Sequence, residues 1–300
     1  MLLTNKYGLP QSIFDAINND PYDGPGADLS SISVTTLINP PKIRQLKLRH
    51  NAEITEDVSE NIWRLLGSSV HSVLERVTDA GRLIEERLTL KVGNKTLSGK
   101  TDIYEAAECC IQDYKVTSAW SIVYSPEGKK EWEAQLNCLC LLYRKSGFEV
   151  KKLKIIAILR DWSKANALKD SSYPQIPIVV IDISLWDEAK QMAYVQSKVL
   201  EHASFDGVTD DSIPECTPED RWQSTPKFAV YKNSNVRATK VFDAESDAIA
   251  FAATQNAKDS YRVESRPGVD KRCTEYCSVN KFCHYWKAKY QNAEAVAETV

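Results

Sequence analysis

The feature of the sequence that most constrains its fold is the alternation of strand-like and helix-like hydrophobic patterns between Leu88 and His202. Strands are indicated where apolar residues alternate or run together between turn residues, and helices where they recur every three to four positions. Helices packed on a mixed sheet satisfy both patterns, because each layer buries its apolar side against the other. The sequence therefore predicts an α/β fold with a mixed central sheet flanked by helices. The predicted strands are 88–92, 97–105, 109–116, 153–159 and 176–183, and the predicted helices are 55–77, 129–144 and 185–202.

The amino-acid composition of the sequence changes near Gly207. The stretch that follows is rich in Pro, Asp, Ser and Thr, and it leads into short strand patterns and one further helix pattern. Turn-rich segments between periodic ones are typical of domain boundaries. We therefore expect a core in residues 1–206 and a smaller C-terminal lobe in residues 207–300. In that lobe the predicted strands are 227–232, 237–242 and 261–266, and the predicted helix is 244–254.

Composition and charge restrict the class of protein. Hydrophobic residues make up 43% and charged residues 26% of the 300 residues, which is typical of a soluble globular chain. The longest apolar runs, such as 176–183, are too short to span a membrane, and the N-terminus lacks the pattern of a signal peptide. We therefore expect a cytosolic protein with no membrane association. The net charge of −3 does not decide whether the partner is a nucleic acid, and the basic runs 41–50 and 151–154 are expected to be solvated faces or binding patches.

The eight cysteines form two sets. One set lies within apolar patterns and is expected to fill the core. The members of this set are Cys109, Cys110, Cys138 and Cys140. The other set lies in turn-rich sequence, where thiols in a reducing compartment are more often metal ligands than disulfides. The members of this second set are Cys216, Cys273, Cys277 and Cys283. Four thiolates suit a 4Fe–4S cluster and a structural Zn²⁺ equally, unliganded cysteines remain an alternative, and His284 is a substitute for one thiolate.

A pair of opposite charges stands out in the third predicted strand. Asp113 and Lys115 share one face, because alternate residues of a strand point to opposite faces. A two-residue hairpin turn at 106–107 would place Asp102 opposite Ile111 and diagonal to Asp113, about 7–8 Å away at the backbone. Two carboxylates and a lysine on one sheet face indicate a site for a hard divalent cation, Mg²⁺ or Mn²⁺. The alternative interpretation is an ordinary ion pair at a sheet edge.

Two helices offer further polar candidates. His71 lies beside the apolar stripe of predicted helix 55–77, and Glu75 follows one turn later on the same flank. Gln135 lies inside the apolar stripe of helix 129–144, where a buried amide needs hydrogen-bond partners. A structural histidine and a core glutamine satisfied by the backbone are the alternatives. These side chains are therefore candidates to complete the site.

The order of four motifs resembles that of the RecB-like branch of the PD-(D/E)XK nucleases. These motifs are GSSVHSVLE (67–75), LSGKTDIYE (97–105), IQDYK (111–115) and the helix of Gln135. This branch includes the nuclease domains of bacterial recombination helicases, CRISPR-associated RecB-like exonucleases and small stand-alone phage proteins. The resemblance covers about residues 30 to 160, and the segment 31–46 also looks like the entry segment of phage members. It implies a restriction-endonuclease-like core.

The resemblance also implies roles for the candidate residues. Lys115 would position or deprotonate the attacking water, Gln135 would support the site, and Glu75 is a further catalytic candidate. The expected function is that of a Mg²⁺- or Mn²⁺-dependent DNA exonuclease in phage DNA processing, recombination or repair, acting in the host cytoplasm if phage-encoded. Recombination or replication proteins are candidate partners, and a catalytically inactive nucleic-acid-binding module is the alternative. The implied metal ligands are His71, Asp102, Asp113 and the backbone carbonyl of Tyr114.

The sequence departs from the family pattern at two places. The family often has a tyrosine four residues after the glutamine, whereas this chain has Leu139 there and Tyr143 one turn later. Related iron–sulfur nucleases carry a C-terminal cysteine triplet similar to 273–283, together with a fourth cysteine upstream of the histidine motif. Here the fourth candidate is Cys216, and the resemblance favours a 4Fe–4S cluster. Whichever metal is bound, we expect the four cysteines to form one structural site that joins the C-terminal lobe to the core.

Overall fold

The protein is described here by a computed structural model. The residues that it describes are 1–19, 29–76, 81–84, 86–255 and 259–291. The chain divides into two compact units, and the division falls after Ile213 rather than near Gly207. The units comprise residues 1–213 and 214–300.

The elements of the first unit follow the predicted alternation. The strands are β1 (Leu2–Thr4), β2 (Ser31–Ser33), β3 (Thr55–Asp57), β4 (Arg82–Ile84), β5 (Arg87–Val92), β6 (Lys95–Lys100), β7 (Ile103–Glu105), β8 (Cys110–Thr117), β9 (Lys152–Leu159) and β10 (Ile178–Ile183). The helices are α1 (Gln11–Asn18), α2 (Val34–Leu37), α3 (Pro41–His50), α4 (Ile62–Leu74), α5 (Ala119–Val123), α6 (Lys130–Lys145), α7 (Lys164–Lys169) and α8 (Glu188–Ala203). Turns of 3₁₀-helix occur at Val58–Asn61, Ala106–Glu108 and Asp210–Ser212.

The central sheet of the first unit is mixed, as predicted. Its strands run in the order β10, β9, β8, β7, β4. β8 and β9 pair in parallel, and the other neighbours pair antiparallel. Every second residue of β9 is buried, and these residues meet the leucine-rich face of α6 in one hydrophobic core. The prediction of an α/β fold with a mixed sheet flanked by helices is therefore confirmed.

Smaller sheets accompany the central one. β6 pairs in parallel with β2 and antiparallel with β5. β6 and β7 correspond to the single predicted strand 97–105, which the structure interrupts at Thr101 and Asp102. The interruption places Asp102 at the bend between two sheets, directly before β7.

The predicted helix 55–77 is wrong at its start. Residues Thr55–Asp57 form β3, which pairs in parallel with β1. The Asp57 carboxylate accepts the backbone N–H groups of Lys6 at 2.8 Å and Ser59 at 3.1 Å, and so it ties the N-terminal strand to the 3₁₀ turn before α4. Pairing with β1, about fifty residues earlier in the chain, makes this segment a strand in spite of its helical pattern, and α4 begins only at Ile62.

The predicted register of the hairpin between β7 and β8 is also wrong. The structure pairs Glu105 with Cys110 and Tyr104 with Ile111, so that continuation of the ladder brings Asp102 opposite Asp113 rather than diagonal to it. The reason is a longer turn, a 3₁₀ turn that ends at Cys109 with φ 49°. Cys109 is therefore a partly exposed turn residue and not a core residue. The register moves by two residues, and a shift of two leaves every side chain on its predicted face.

Part of the basic run of α3 is buried rather than solvated. Lys42 is 2% exposed and Arg44 is 3% exposed. Lys42 donates to the carbonyl of Ile213 at 2.9 Å, and Arg44 pairs with Asp206 at 3.3 Å. These contacts hold the end of the first unit against α3, which explains why residues beyond Gly207 still belong to that unit.

The second unit contains a small sheet and the cysteine-bearing segments. Its sheet has the order β12, β11, β13, with antiparallel pairing on both sides of β11. The elements are β11 (Lys227–Lys232), β12 (Lys240–Phe242), α9 (Glu245–Ala253), β13 (Tyr261–Arg266) and α10 (His284–Trp286), with a 3₁₀ turn at Asn280–Phe282 and π-helical turns at Arg272–Tyr276 and Lys287–Gln291. Across the described parts of both units, helices are too short or too polar to cross a membrane.

Candidate active site

The candidate site lies where α4 passes over β8. His71 faces the bend before β7, and its Nδ1 lies 3.1 Å from Oδ1 of Asp102. The edge of the His71 ring also meets the ring of Tyr114, with 6.3 Å between ring centroids. The hydrogen bond to Asp102 raises the pKa of His71 above its ordinary value, although burial opposes that rise. α4 and β8 thus join the predicted histidine to the predicted acidic residues.

Asp102 links the bend to β8. Its Oδ2 accepts the backbone N–H of Tyr114 at 2.6 Å, while its Oδ1 faces His71. Because the strand is interrupted here, the side chain of Asp102 accepts a hydrogen bond that a backbone carbonyl of the neighbouring strand would otherwise accept. Both carboxylate oxygens are therefore held in fixed directions on the face of β8 that carries Asp113.

Asp113 is the most deeply buried acid of the site, with a side chain 4% exposed. Oδ2 of Asp113 lies 2.6 Å from Nζ of Lys115, and its Oδ1 accepts a long hydrogen bond of 3.4 Å from Nε2 of Gln135. Burial raises the pKa of Asp113; the nearby Asp102 carboxylate adds to the rise, and Lys115 opposes it. Two acids face each other here, and the cost of burying their charges is partly offset by Lys115.

The donor set suits a hard divalent cation by chemical type. Carboxylate oxygens are the ligands that Mg²⁺ and Mn²⁺ prefer. The buried Oδ2 of Asp113 accepts no hydrogen bond of good geometry, in spite of its short distance to Lys115. Within the described residues, no group of three His, Cys, Asp or Glu side chains has the arrangement of a metal-ligand set. Asp102 and Asp113 instead pair with His71 and Lys115, respectively.

Tyr143 holds the bend from the opposite direction. It is 1% exposed, and its hydroxyl lies 2.5 Å from Oγ1 of Thr101, the residue before Asp102. A Cβ on Gly99 of β6 would lie 2.5 Å from Cδ2 of Leu139, so the absence of a side chain lets α6 approach β6 closely. Tyr143 is therefore an internal residue that fixes the backbone beside Asp102, a role that the sequence analysis missed. Its position one turn after Leu139 was the available signal.

Glu75 is not brought into the cluster by any contact within the described residues. It is exposed and caps the C-terminal end of α4, where its backbone N–H donates to the carbonyl of His71 at 2.9 Å. The candidate residues that the structure does bring together are His71, Asp102, Asp113, Tyr114, Lys115 and Gln135.

The second set of cysteines lies entirely within the second unit. Burial raises the pKa of Cys216 to about 12, and the neighbouring Cys277, Cys283 and Cys273 contribute to that rise. Burial also raises the pKa of Cys273 to about 12, with contributions from Cys277, Asp270 and Cys283. The structure thus places these thiols near one another, although among the described residues they do not form a metal-ligand set. Cys216 belongs to the same unit as the triplet, as the predicted C-terminal lobe requires.

Asp270 organises the segments that carry these cysteines and was missed by the sequence analysis. It is fully buried, and its carboxylate accepts hydrogen bonds from Arg221 at 3.2 Å, Tyr285 at 2.6 Å, Lys289 at 2.7 Å and Tyr290 at 2.8 Å. Burial alone would raise the pKa of Asp270, but these donors lower it to about 2. The partners lie up to 49 residues away in sequence, so no local pattern marks this aspartate.

Comparisons with known proteins give distant structural similarity. No protein-family model and no curated protein matches the sequence. A solved structure of a protein designated SSO0001 is similar to this chain with a TM-score of 0.43 and 16% identity, over 66% of this chain and 93% of its own. A phage-related exonuclease from Haemophilus somnus 129PT is similar with a TM-score of 0.28 and 15% identity, over 66% of this chain and 79% of its own. At these values neither structure assigns an activity to the present chain.

Proposed function

We propose that this chain is a divalent-metal-dependent deoxyribonuclease of the RecB-like PD-(D/E)XK type, acting as an exonuclease in phage DNA processing, recombination or repair. The observation that carries the proposal is the convergence of two acids and a lysine at one point of β8. Asp113 is buried against Lys115 and Gln135, and Asp102 comes opposite it through the bend before β7. A surface ion pair needs none of this burial or positioning, and burying two acids side by side costs stability.

The metal would be held by the carboxylates of Asp102 and Asp113, with His71 and the carbonyl of Tyr114 completing the set. When bound, Mg²⁺ or Mn²⁺ activates a water and stabilises charge on the phosphate in phosphodiester hydrolysis. The buried Oδ2 of Asp113 supports this assignment, because it accepts no hydrogen bond of good geometry although Lys115 lies close to it. Nδ1 of His71 already lies 3.1 Å from Oδ1 of Asp102, so the two side chains need little movement to bind one cation.

The side chains of Lys115 and Gln135 then have distinct tasks. Lys115 lies at the rim of the buried acid, with a side chain 26% exposed. Its ammonium would orient the attacking water, or accept the proton of that water after losing its own, and it would face the negative charge that develops on the phosphate. Gln135 would hold the carboxylate of Asp113 in one rotamer by donating to its Oδ1.

The cysteines of the second unit are proposed to bind a structural metal, either a 4Fe–4S cluster or Zn²⁺. The raised pKa values of Cys216 and Cys273, to which neighbouring cysteines contribute, support the proposal, because a bound cation compensates thiolates that otherwise repel one another. Cys216 would complete the triplet of Cys273, Cys277 and Cys283. Such a site would stabilise the second unit from within, together with the buried carboxylate of Asp270.

The experiment compares linear and circular single-stranded DNA, incubated with the full-length protein and Mg²⁺, Mn²⁺ or chelator. We expect the linear substrate to shorten progressively from its ends with either metal, while the circle stays closed and the chelator stops the reaction. Linearisation of the circle would contradict the exonuclease assignment. Binding of DNA without cleavage under every condition would favour the inactive nucleic-acid-binding module.

A further inference from the structure

A second group of side chains, separate from the acids, lines the carboxyl ends of β8 and β9. Three exposed aromatic rings lie there: Trp63 on α4, Trp120 on α5, and Tyr124 directly after α5. Their exposed fractions are 58%, 45% and 79%, respectively. Rings of this size are seldom left in water without a partner, and the core does not need them.

Two hydrogen bonds hold the segment that carries Trp120 and Tyr124 beside the end of β9, which Arg160 follows. The backbone N–H of Arg160 donates to the carbonyl of Thr117 at 3.0 Å, and the N–H of Ala119 donates to Oδ1 of Asp161 at 2.7 Å. The start of α5 is therefore fixed beside the end of β9. Trp120 follows Ala119 directly, so its position is set by the strand ends and not by a loose loop.

A basic side chain lies among the rings. The guanidinium of Arg160 stacks over the ring of Trp63 at 4.5 Å. Phosphate groups of a nucleic acid complement this charge, whereas a purely apolar partner would not.

The rings are held in defined orientations. Trp120 on α5 and Tyr124 at its C-terminal cap stack one turn apart, with 6.1 Å between centroids and 30° between planes. The edge of Trp120 also meets the buried ring of Tyr173 at 5.6 Å, which anchors one side and leaves the rest in solvent. A fixed aromatic face with an adjacent cation is suited to stacking an unpaired base.

The direction of α4 and β8 connects this group to the candidate active site. His71 on α4 meets Tyr114 on β8, while Trp63, eight residues earlier on the helix, meets Arg160 beside Thr117. Lys115 and Thr117 lie on one face of β8 about 7 Å apart, since a strand rises about 3.3 Å per residue. A strand whose scissile phosphate lies at Lys115 would therefore continue over these rings.

We infer that Trp63, Trp120 and Tyr124, with Arg160, form a stacking platform for the unpaired bases of a single-stranded DNA end. The inference rests on the proposed nuclease function and specifies its substrate as a single strand rather than a duplex. Base stacking on aromatic rings tolerates every base, so the platform would bind without sequence preference.

The test measures binding apart from cleavage, in the Lys115→Ala background, by fluorescence anisotropy. The probes are a labelled oligo-dT, an abasic oligonucleotide of equal length, and a duplex. The abasic probe keeps the phosphates and removes the bases. We expect the parent protein to bind oligo-dT about tenfold more tightly than the abasic probe, and more tightly than the duplex.

Single substitutions separate the contribution of base stacking to DNA affinity from the contribution of charge. Trp120→Ala and Tyr124→Ala should each weaken oligo-dT binding by up to about tenfold and leave abasic binding nearly unchanged. Arg160→Ala should weaken both single-stranded probes and reduce the salt dependence by about 0.7 in the logarithmic slope. The control Leu200→Ala, which removes an exposed apolar side chain from α8, should change neither.

Equal affinity of the parent for oligo-dT and abasic DNA would overturn the platform, as would tighter binding of the duplex. Unchanged oligo-dT binding in both aromatic variants would do the same. Tyr124 is 79% exposed, so its variant keeps the test decisive even if Trp120→Ala fails to fold. Because binding is measured without cleavage, a base-dependent signal in a protein that cuts no DNA would support the platform while the nuclease proposal failed.

Discussion

The buried carboxylate of Asp113 is the residue on which the proposed chemistry depends. It lies between the ammonium of Lys115 and the amide of Gln135, and its raised pKa reflects burial beside a second acid. A fold gains nothing in stability from such an arrangement, because each buried charge has lost its hydration. A bound cation is the partner that would compensate both acids at once.

Neutral isosteres test that dependence. Asp102→Asn and Asp113→Asn keep the shape of each side chain but remove the charge that attracts a divalent cation. We expect each change to lower Mn²⁺ affinity by more than about tenfold, measured by isothermal titration calorimetry. Unchanged Mn²⁺ binding in both variants would contradict the assignment of these acids as ligands.

His71 is predicted to contribute less than either acid. His71→Ala removes a neutral ligand from a partly exposed position, so metal affinity should fall moderately while the melting temperature stays nearly constant. The matched control is His202→Ala, because His202 is fully buried and contacts the carbonyl of Leu37 at 3.1 Å. The control should lower the melting temperature and leave metal affinity unchanged; the reverse pattern would make His71 a structural residue.

At the scale of elements, the site depends on how closely α6 approaches β6 beside the bend. Gly99 permits that approach, since a Cβ there would lie 2.5 Å from Leu139 and 2.7 Å from Leu142. The hydrogen bond between Tyr143 and Thr101 then fixes the backbone directly before Asp102. The position of Asp102 is thus determined by the packing of α6 against β6.

Gly99→Ala should therefore destabilise the protein by about 1–3 kcal/mol, the usual cost of overpacking a filled core. The measurement is the midpoint of urea denaturation. Gly67→Ala is the matched control, because a Cβ on Gly67 meets no atom within 4 Å and the residue lies inside α4. The control should be neutral or stabilising by up to about 1 kcal/mol. Equal midpoints for the two variants would show that close packing at Gly99 is unimportant.

The local hydrophobic period correctly predicted which side chains share one face of a strand. The shared face of Asp113 and Lys115 follows from the two-residue period of a strand, and it survived an error of two residues in the hairpin register. The turn itself was not predictable, because Cys109 adopts a left-handed conformation that its residue type does not signal. Long-range partners were equally hidden, as the strand at Thr55–Asp57 and the buried Lys42 show.

At the scale of the whole molecule, the chain keeps its two candidate metal sites in separate units. The acids lie in the first unit, and the second set of cysteines lies wholly in the second. Each unit therefore has its own internal stabilisation, a leucine-rich core in the first and the buried Asp270 network in the second. Loss of one site should leave the other chemically intact.

Replacement of Cys216 by Ser tests the cysteine site. We expect the variant to lose bound metal and soluble yield, because metal binding and folding of such a unit are coupled. Elemental analysis after anaerobic purification measures the loss and distinguishes iron from zinc. Cys109→Ser is the control, a partly exposed cysteine outside the set, and should keep the wild-type metal content. Absence of both metals from the wild type would refute the site.

The central claim is that Lys115 and its neighbouring acids hydrolyse DNA. The most direct measurement is the rate of release of end label from single-stranded DNA in Mg²⁺, compared between wild type, Lys115→Ala and the exposed-lysine control Lys152→Ala. We predict metal-dependent release by wild type and by Lys152→Ala, and a loss on the order of 10²–10³-fold in Lys115→Ala with folding and DNA binding retained. Release by Lys115→Ala at the wild-type rate would contradict the account.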